Sequence, residues 1–297
     1  MKYRITVIGG ANVDIGGRPA AALVLRESNP GLIRQGFGGV GRNIAHNLCL
    51  LGEEVSLIAA FGDDLYGDAL RKDCHRLGMD LSRSPILPGA RSSTYLYLCG
   101  ESGEMLAAVA DMDITRRLTP AVLEESLAAI NASDAVVVDA NLEEETLCWL
   151  GEHCAAPLYA DPVSAAKAPR LRPVLGRLRA LKPNRREAEV LTDRVGAEES
   201  VAALLDAGVQ RVFLTLGGEG ILAGETGERV SLPGEDGPVV NVTGAGDAVL
   251  AALVWADLRG YSLAHCARLG LRAGAVTAAC EAANAPDLAS ALAGFAP

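Results

Sequence analysis

Val239-Val-Asn-Val-Thr-Gly-Ala-Gly-Asp-Ala-Val-Leu-Ala-Ala-Leu-Val-Trp-Ala256 is the stretch from which the rest of the chain can be read. Val239–Thr243 reads as a strand-like apolar run, Gly244-Ala245-Gly246 carries almost no side chain, and a strongly apolar helix follows. The first N–H groups of a helix have no partner within it, and the helix dipole adds positive potential there. Such a start is an anion site. Small residues let a phosphoryl group come close. Asp247 falls in the first turn, beside that site. A carboxylate repels bound phosphate and serves binding poorly, but it suits a general base that takes a proton from an attacking hydroxyl. The competing reading is a tight turn whose Asp is favoured by the dipole.

Outward from this stretch, strands and helices alternate. Tyr3–Gly9, Val55–Phe61, Ala135–Asp139, Pro157–Ala160 and Val212–Leu216 read as strands. The last three are apolar throughout, as in a parallel sheet covered on both faces. Val40–Leu51, Tyr66–Leu77 and Thr119–Asn131 read as helices, the first two stopped by Gly52 and Gly78. The pattern predicts an α/β fold, a doubly wound and mostly parallel sheet sandwiched by helices. Gly17–Gln35 and Arg91–Ala110 break the rhythm with strand-like segments and no helix. Ser93–Cys99 and Met105–Ala110, joined by Glu101-Ser-Gly-Glu104, read as a β-hairpin. These pieces predict a small antiparallel β lid, about 17–35 and 91–110, inserted in a single domain spanning 1–297.

Charge and composition exclude several functions. The 27 Lys and Arg against 37 Asp and Glu give a net charge of −10, which argues against nucleic acid and anionic membranes as partners. Aromatics at 4% leave little for stacking single-stranded bases. The apolar run Ala248–Ala256 is too short to span a bilayer. The N-terminus reads as a strand, not a leader. Seven Cys without a Cys-x-x-Cys pair read as reduced thiols in a cytoplasmic protein. The four His residues form no His-Glu-x-x-His, and neither a Gly-x-Ser-x-Gly elbow nor a P-loop is present.

Other segments carry candidate chemistry with competing readings. Gly36-Phe-Gly38-Gly39-Val-Gly41, with Asp63 further on, matches a dinucleotide fingerprint, but the segment before it is short and polar. The alternative is that Gly38 and Gly39 admit a neutral substrate to the backbone and Asn43 hydrogen-bonds it; Asn43 also reads as an ordinary helix amide. Asp14, just past the first strand, could accept two hydrogen bonds from a sugar diol, or form an Asx-turn. Thr215-Leu-Gly217-Gly218-Glu-Gly220 could bring backbone to a nucleotide, or be a plain hairpin. Asn184 and Glu187 could hold a water-coordinated Mg²⁺ or form a capping box.

In this order the segments resemble the ribokinase (PfkB-type) family of carbohydrate and nucleoside kinases. The match runs over essentially the whole chain: Asn12 and Asp14, Gly38-Gly39-x-x-x-Asn43, Asn184-x-x-Glu187, Thr215-x-Gly217-x-x-Gly220, and Thr243-Gly-Ala-Gly-Asp247. The resemblance implies an eight- or nine-stranded α/β sandwich with a β lid, ATP as phosphoryl donor, Mg²⁺, and a hydroxymethyl group as acceptor. Carried over, Asp247 is the base, and the N–H groups of Gly244, Ala245 and Gly246 form the anion hole. Asn12, Asp14, Gly38, Gly39 and Asn43 bind the sugar. Asn184, Thr215, Gly217, Gly218, Gly220 and Thr243 serve ATP, and Asn184 and Glu187 organise the metal through water. Asn141 and Lys167 are further candidates for contact with the substrate. Many members carry Asp where this chain has Asn241, near a loop (here Ala278–Asn284) that often holds a monovalent cation, so K⁺ stays open. A homodimer through the lid is expected. Gly9–Asp14, Ser28–Gly31, Gly38–Ala45, Asp111–Asp113 and Asp161–Lys167 resemble one nucleoside-phosphorylating branch of the family in particular. Its acceptor would be a nucleoside 5′-hydroxyl. The alternatives are another sugar or nucleoside acceptor, a dinucleotide-dependent reductase, or a nucleoside sensor without turnover.

Overall fold

The structure, a computed structural model, describes residues 2–101 and 104–295. Its strands are β1 (Arg4–Ile8), β2 (Asn12–Pro19), β3 (Gly31–Gly38), β4 (Glu54–Ile58), β5 (Phe61–Gly62), β6 (Ile86–Leu87), β7 (Thr94–Cys99), β8 (Met105–Asp111), β9 (Ala135–Asp139), β10 (Leu158–Asp161), β11 (Leu178–Leu181), β12 (Arg211–Thr215), β13 (Ile221–Glu225) and β14 (Glu228–Leu232). The main sheet has eight strands in the order β14-β13-β12-β11-β10-β9-β1-β4. From β4 to β12 every pairing is parallel; β13 and β14 close the far edge antiparallel.

Alternate residues of each strand feed two cores, one on either face, as the twofold period of a strand requires. Val7, Ala135, Val137, Tyr159 and Phe213 pack on the face covered by the helix Ala245–Asp257. Ile8, Val136, Val138 and Leu181 pack on the other, under the helix Glu144–His153. Leu250, Leu253 and Val254 of the first helix are essentially fully buried. Each such side chain contributes about 1.5–3 kcal/mol, which fixes the start of that helix against the sheet.

The lid is a second sheet in the order β3-β2-β7-β8. Antiparallel pairing, as expected, holds within β2–β3 and within β7–β8, but the seam between β2 and β7 is parallel. The lid also begins earlier than the sequence suggests, because Asn12 and Asp14 already belong to β2. The predicted hairpin turn at Ser102 and Gly103 lies outside the described residues.

Three expected elements differ. Thr119–Asn131 is two short helices, Pro120–Glu124 and Leu127–Asn131, because the chain tightens at Ser126, whose N–H bonds Leu123 three residues back. Val55–Phe61 ends as a main-sheet strand at Ile58; Phe61 and Gly62 pair instead with Ile86 and Leu87. Val239–Thr243 is not a strand. Val239, Val240 and Val242 are exposed, and the segment is tied down by the N–H groups of Val240 and Asn241, both bonded to Ala278 O.

Candidate active site

Strands β11, β10, β9 and β1 lie side by side, and their C-terminal ends deliver Lys182, Asp161, Asp139 and the Gly9-Gly10 turn to one edge. In open α/β sheets ligands bind outside this edge. Asp139 and Asp161 are register partners. Asp139 is wholly buried: its Oδ2 accepts from the N–H groups of Gly10 and Gly41, both at 2.8 Å, and its Oδ1 from that of Asn141 at 2.9 Å. A Cβ on Gly9 would stand 2.3 Å from that Oδ2, so only glycine fits there. One carboxylate thus locks the turn after β1 and the start of the helix Val40–Leu50 to the end of β9.

Asp247 lies in the first turn of the helix Ala245–Asp257, as expected, and is 8% exposed. Asn43 Nδ2 donates to its Oδ2 at 2.9 Å. Burial, then the charge of Asp161, pushes the Asp247 carboxyl up to about 8, against the opposing pull of Lys182 and of Asn43. A group that titrates near neutrality is well matched to proton abstraction. Gly244 caps the helix at φ +82°, and a Cβ there would stand 2.0 Å from Ala283 O. Among the three N–H groups expected to hold an anion, that of Ala245 makes a long 3.3 Å bond to Val242 O.

On the lid side, Asn12 Nδ2 donates to Asp14 Oδ1 at 2.6 Å, and a Cβ on Gly38 would lie 2.2 Å from Asp14 Oδ2. Burial raises the Asp14 carboxyl to about 6, against the bond from Asn12 and the charge of Arg42. Gly39 sits at φ +100° with Gly10 O 2.5 Å from where its Cβ would be. Asn12, Asp14, Gly38 and Gly39 therefore meet as expected. Lys167 Nζ donates to Asn141 Oδ1 at 2.6 Å, and Asn141 abuts Gly10, so this pair borders the same turn. Tyr97 covers Gly16 on the lid, and after burial the charge of Asp14 is the main cause that raises its hydroxyl pKa.

On the far side, Asn184 and Glu187 form the capping box: Asn184 Oδ1 accepts from the Glu187 N–H and Glu187 Oε2 from the Asn184 N–H, both at 2.9 Å. Glu187 is buried, and burial, then Asp161, raises its carboxyl. Thr215 bridges to Asn184. Gly217, at φ +62°, and Gly218 have no atom within 4 Å of a would-be Cβ, which leaves their backbone open, whereas Gly220 at φ +113° is pressed on Leu232 O. Thr243 is exposed and its N–H donates to Asn241 Oδ1 at 3.0 Å. Among the described residues, no group of three or more His, Cys, Asp or Glu side chains is placed to hold a metal ion.

The dinucleotide fingerprint does not survive. Gly36 and Gly38 lie in β3, an outer lid strand antiparallel to β2, not in the first strand of a βαβ unit. Asp63 Oδ1 accepts from the Gly89 N–H, far from any such role.

Sequence reasoning missed Arg42, Asp73, Asp139, Asp161, Lys182, Asn284 and Tyr97. A signal existed for three of them: a charged residue that ends or directly follows a buried apolar strand stands at the ligand edge. For Arg42, Asp73, Asn284 and Tyr97 none did, since their neighbours are set only by the fold.

A family profile described as pfkB family carbohydrate kinase matches residues 2–290. The Escherichia coli protein named pseudouridine kinase is 37% identical over 97% of this chain and 94% of its own length. A solved carbohydrate kinase from Agrobacterium tumefaciens is 33% identical, with a TM-score of 0.87 over 100% of this chain and 98% of the other. The Arabidopsis thaliana ribokinase, solved with ribose and ATP, shares the fold at a TM-score of 0.86, with 19% identity over 98% of this chain and 99% of that one. A buried carboxylate at a glycine-started helix, a mixed lid sheet and a match along almost the full length agree. The chain belongs to the pfkB family of carbohydrate kinases, phosphotransferases with an alcohol group as acceptor.

Proposed function

We propose that this kinase transfers the γ-phosphoryl group of ATP to the 5′-hydroxyl of pseudouridine. The observation that carries the chemistry is the buried Asp247 carboxyl, held by Asn43 at the start of a glycine-led helix. The acceptor rests on likeness to the Escherichia coli relative of that name, and on the segments Gly9–Asp14, Ser28–Gly31, Gly38–Ala45, Asp111–Asp113 and Asp161–Lys167.

Asp247 takes the proton of the 5′-hydroxyl. The freed oxygen forms a bond to the γ-phosphorus as the bond to the β–γ bridging oxygen breaks, and ADP leaves. The N–H groups of Gly244, Ala245 and Gly246 hold the transferring group, where developing charge gains most from fixed dipoles. Asp14, with Asn12 beside it, takes the ribose hydroxyls over Gly38 and Gly39, and Asn43 offers its second Nδ2 hydrogen. Lys167 and Asn141 face the base from the body and Tyr97 from the lid. The open backbone of Gly217 and Gly218, with Asn184, Thr215 and Thr243, borders ATP.

Magnesium suits this site as an ion carried by the ATP phosphates. Asn184 and Glu187 already bond each other, so they would reach it through water. Asn241 Nδ2 donates to Glu281 O at 2.9 Å and so ties its segment to the Ala278–Asn284 loop with an N–H group. That supports transfer without a requirement for K⁺. Leu32, Ile33, Leu96, Leu98 and Val109 are exposed on the lid, which supports a homodimer through it. Seven free thiols fit a reducing cytoplasm. Among the described residues no helix is long and apolar enough to cross a membrane.

The test is ADP release with ATP against pseudouridine, uridine, inosine, adenosine and ribose. Pseudouridine should give the highest kcat/KM. A clear preference for another acceptor overturns the acceptor and leaves the family standing. Binding without ADP release from any of them overturns the reaction.

A further inference from the structure

Arg42 directly precedes Asn43 on the helix Val40–Leu50 and is 6% exposed. Its Nη2 donates to Asp73 Oδ2 at 2.7 Å, from the helix Leu65–Arg76. Its Nη1 donates to Asn43 Oδ1 and to Asn284 Oδ1, both at 3.1 Å. Asn284 Nδ2 in turn donates to the main-chain oxygen of Asn43 at 3.0 Å. The other end of the Asn43 amide reaches Asp247.

The two ends of an asparagine amide have nearly the same shape, so its orientation is set by what each end meets. A guanidinium can only donate. Facing Arg42, Asn43 must present Oδ1, and its NH₂ group is then left for Asp247. Arg42 and the Asp247 carboxylate select the same orientation, and without Arg42 the Asn43 amide loses the partner that fixes its position at the Oδ1 end. The second branch has a parallel effect. Asn284 follows Ala283, whose carbonyl is pressed on Gly244 at the head of the anion hole. Arg42 thus holds both the partner of the base and the segment behind the phosphoryl site.

Stability alone does not explain this residue. Arg42 Nε is buried without a partner, as is Nδ1 of His46 one turn on. A buried charge with an unmet donor is a poor stabiliser compared with apolar side chains of similar volume. We propose that Arg42, held by Asp73, is a positioning residue for phosphoryl transfer, fixing the Asn43 amide against Asp247 and the Asn284 segment against Gly244. This rests on the reading of Asp247 as the base.

The test is a double-mutant cycle on the full chain with Arg42→Met, Asn43→Ala and their combination, with kcat and both KM values measured on proteins checked by circular dichroism and thermal melting. Loss of an outer hydrogen-bond partner costs about 10–100-fold in activity, so Arg42→Met should lower kcat by that factor and leave the KM for ATP within about twofold. In the Asn43→Ala background the same change should cost at least about threefold less than in wild type, the remainder coming from the Asn284 branch, since residues that share an interaction are non-additive. Effects that multiply overturn the proposal. Should Arg42→Met fail to fold, Arg42→Lys decides. It keeps the charge toward Asp73 but not the fork to both amides, so kcat should fall at least about tenfold in a folded protein, and full kcat overturns the proposal. Asp247→Asn is run alongside. Near-full activity there removes the base reading itself, whereas a dead Asp247→Asn with multiplying Arg42 and Asn43 effects removes only the positioning role.

Discussion

Lys182 Nζ stands 2.7 Å from Asp161 Oδ2, and the two side chains are 7% and 4% exposed. They finish neighbouring strands, so the pair is created by strand order. Burial works against the Lys182 charge, but Asp161, then Glu187, outweighs it and raises its pKa. The Asp161 Oδ1 also accepts from the Val163 N–H at 2.7 Å, holding a β-branched residue at φ +65°. Lys182→Met strands a buried carboxylate and should cost about 3–5 kcal/mol in urea unfolding. Adding Asp161→Asn should recover part of it. A single variant within about 1 kcal/mol of wild type would show that the pair does not hold this edge.

The dependence of kcat/KM on pH should break twice on the acid side. As the proposed base, Asp247 must be ionised to accept a proton, and its carboxyl sits at about 8. On the proposed binding mode Asp14, at about 6, must be ionised to accept from the acceptor's hydroxyls. Log kcat/KM should therefore rise with a slope near two below the lower value and near one between them, then level off. Asp14→Asn should abolish the lower break and keep the upper one. A flat profile from pH 5 to 9, tested with buffers of constant ionic strength, contradicts both assignments.

Asp247→Asn should move activity and stability in opposite directions. Loss of the proposed general base should lower kcat by about 10²–10⁴-fold. The folded carboxyl holds its proton to about 8, while the unfolded one releases it near 3.8, so stability falls as pH rises between these values. The variant is spared that loss. Its Tm should exceed wild type by roughly 2–4 °C at pH 8–9, and the gain should vanish by pH 4. A variant less stable than wild type at pH 9 would mean that the ionised carboxylate is well satisfied.

Gly244→Ala should damage the site from its frame. An L-residue at φ +82° is strained by roughly 1–2 kcal/mol, and the new Cβ would press on Ala283 O. The segment carrying Ala283 and Asn284 must then shift, so both Tm and kcat should fall. Wild-type kcat in this variant would show that the helix start tolerates displacement.

Much of the frame was legible because buried parallel strands are apolar at every position; Ala135–Asp139 was read to the residue. Val239–Thr243 was misread for the same reason inverted, since its valines are apolar but exposed, and a strand needs a neighbour to bond. The reach of the lid was underestimated because Asn12 and Asp14 look like a turn until β3 pairs with them. Asn184 and Glu187 share one spacing for a cap and for a metal site, and the structure shows the cap. Asp139, Asp161 and Lys182 gain their meaning from lateral strand order, and Arg42 from Asp73 and Asn284, contacts that local pattern does not encode.

Asp139 grips mainly main-chain N–H groups, those of Gly10, Gly41 and Asn141, with the Asn141 side chain as a further partner. Most of that grip falls on backbone, so it makes no demand on the side chains at 12, 14 or 167. On the proposed binding mode, the acceptor-facing positions 12, 14 and 167 can accordingly be rewritten while the scaffold beneath them keeps its shape. A lineage, or an engineer, can retarget this kinase to a new alcohol by exchanging its fingertips and leaving the hand alone.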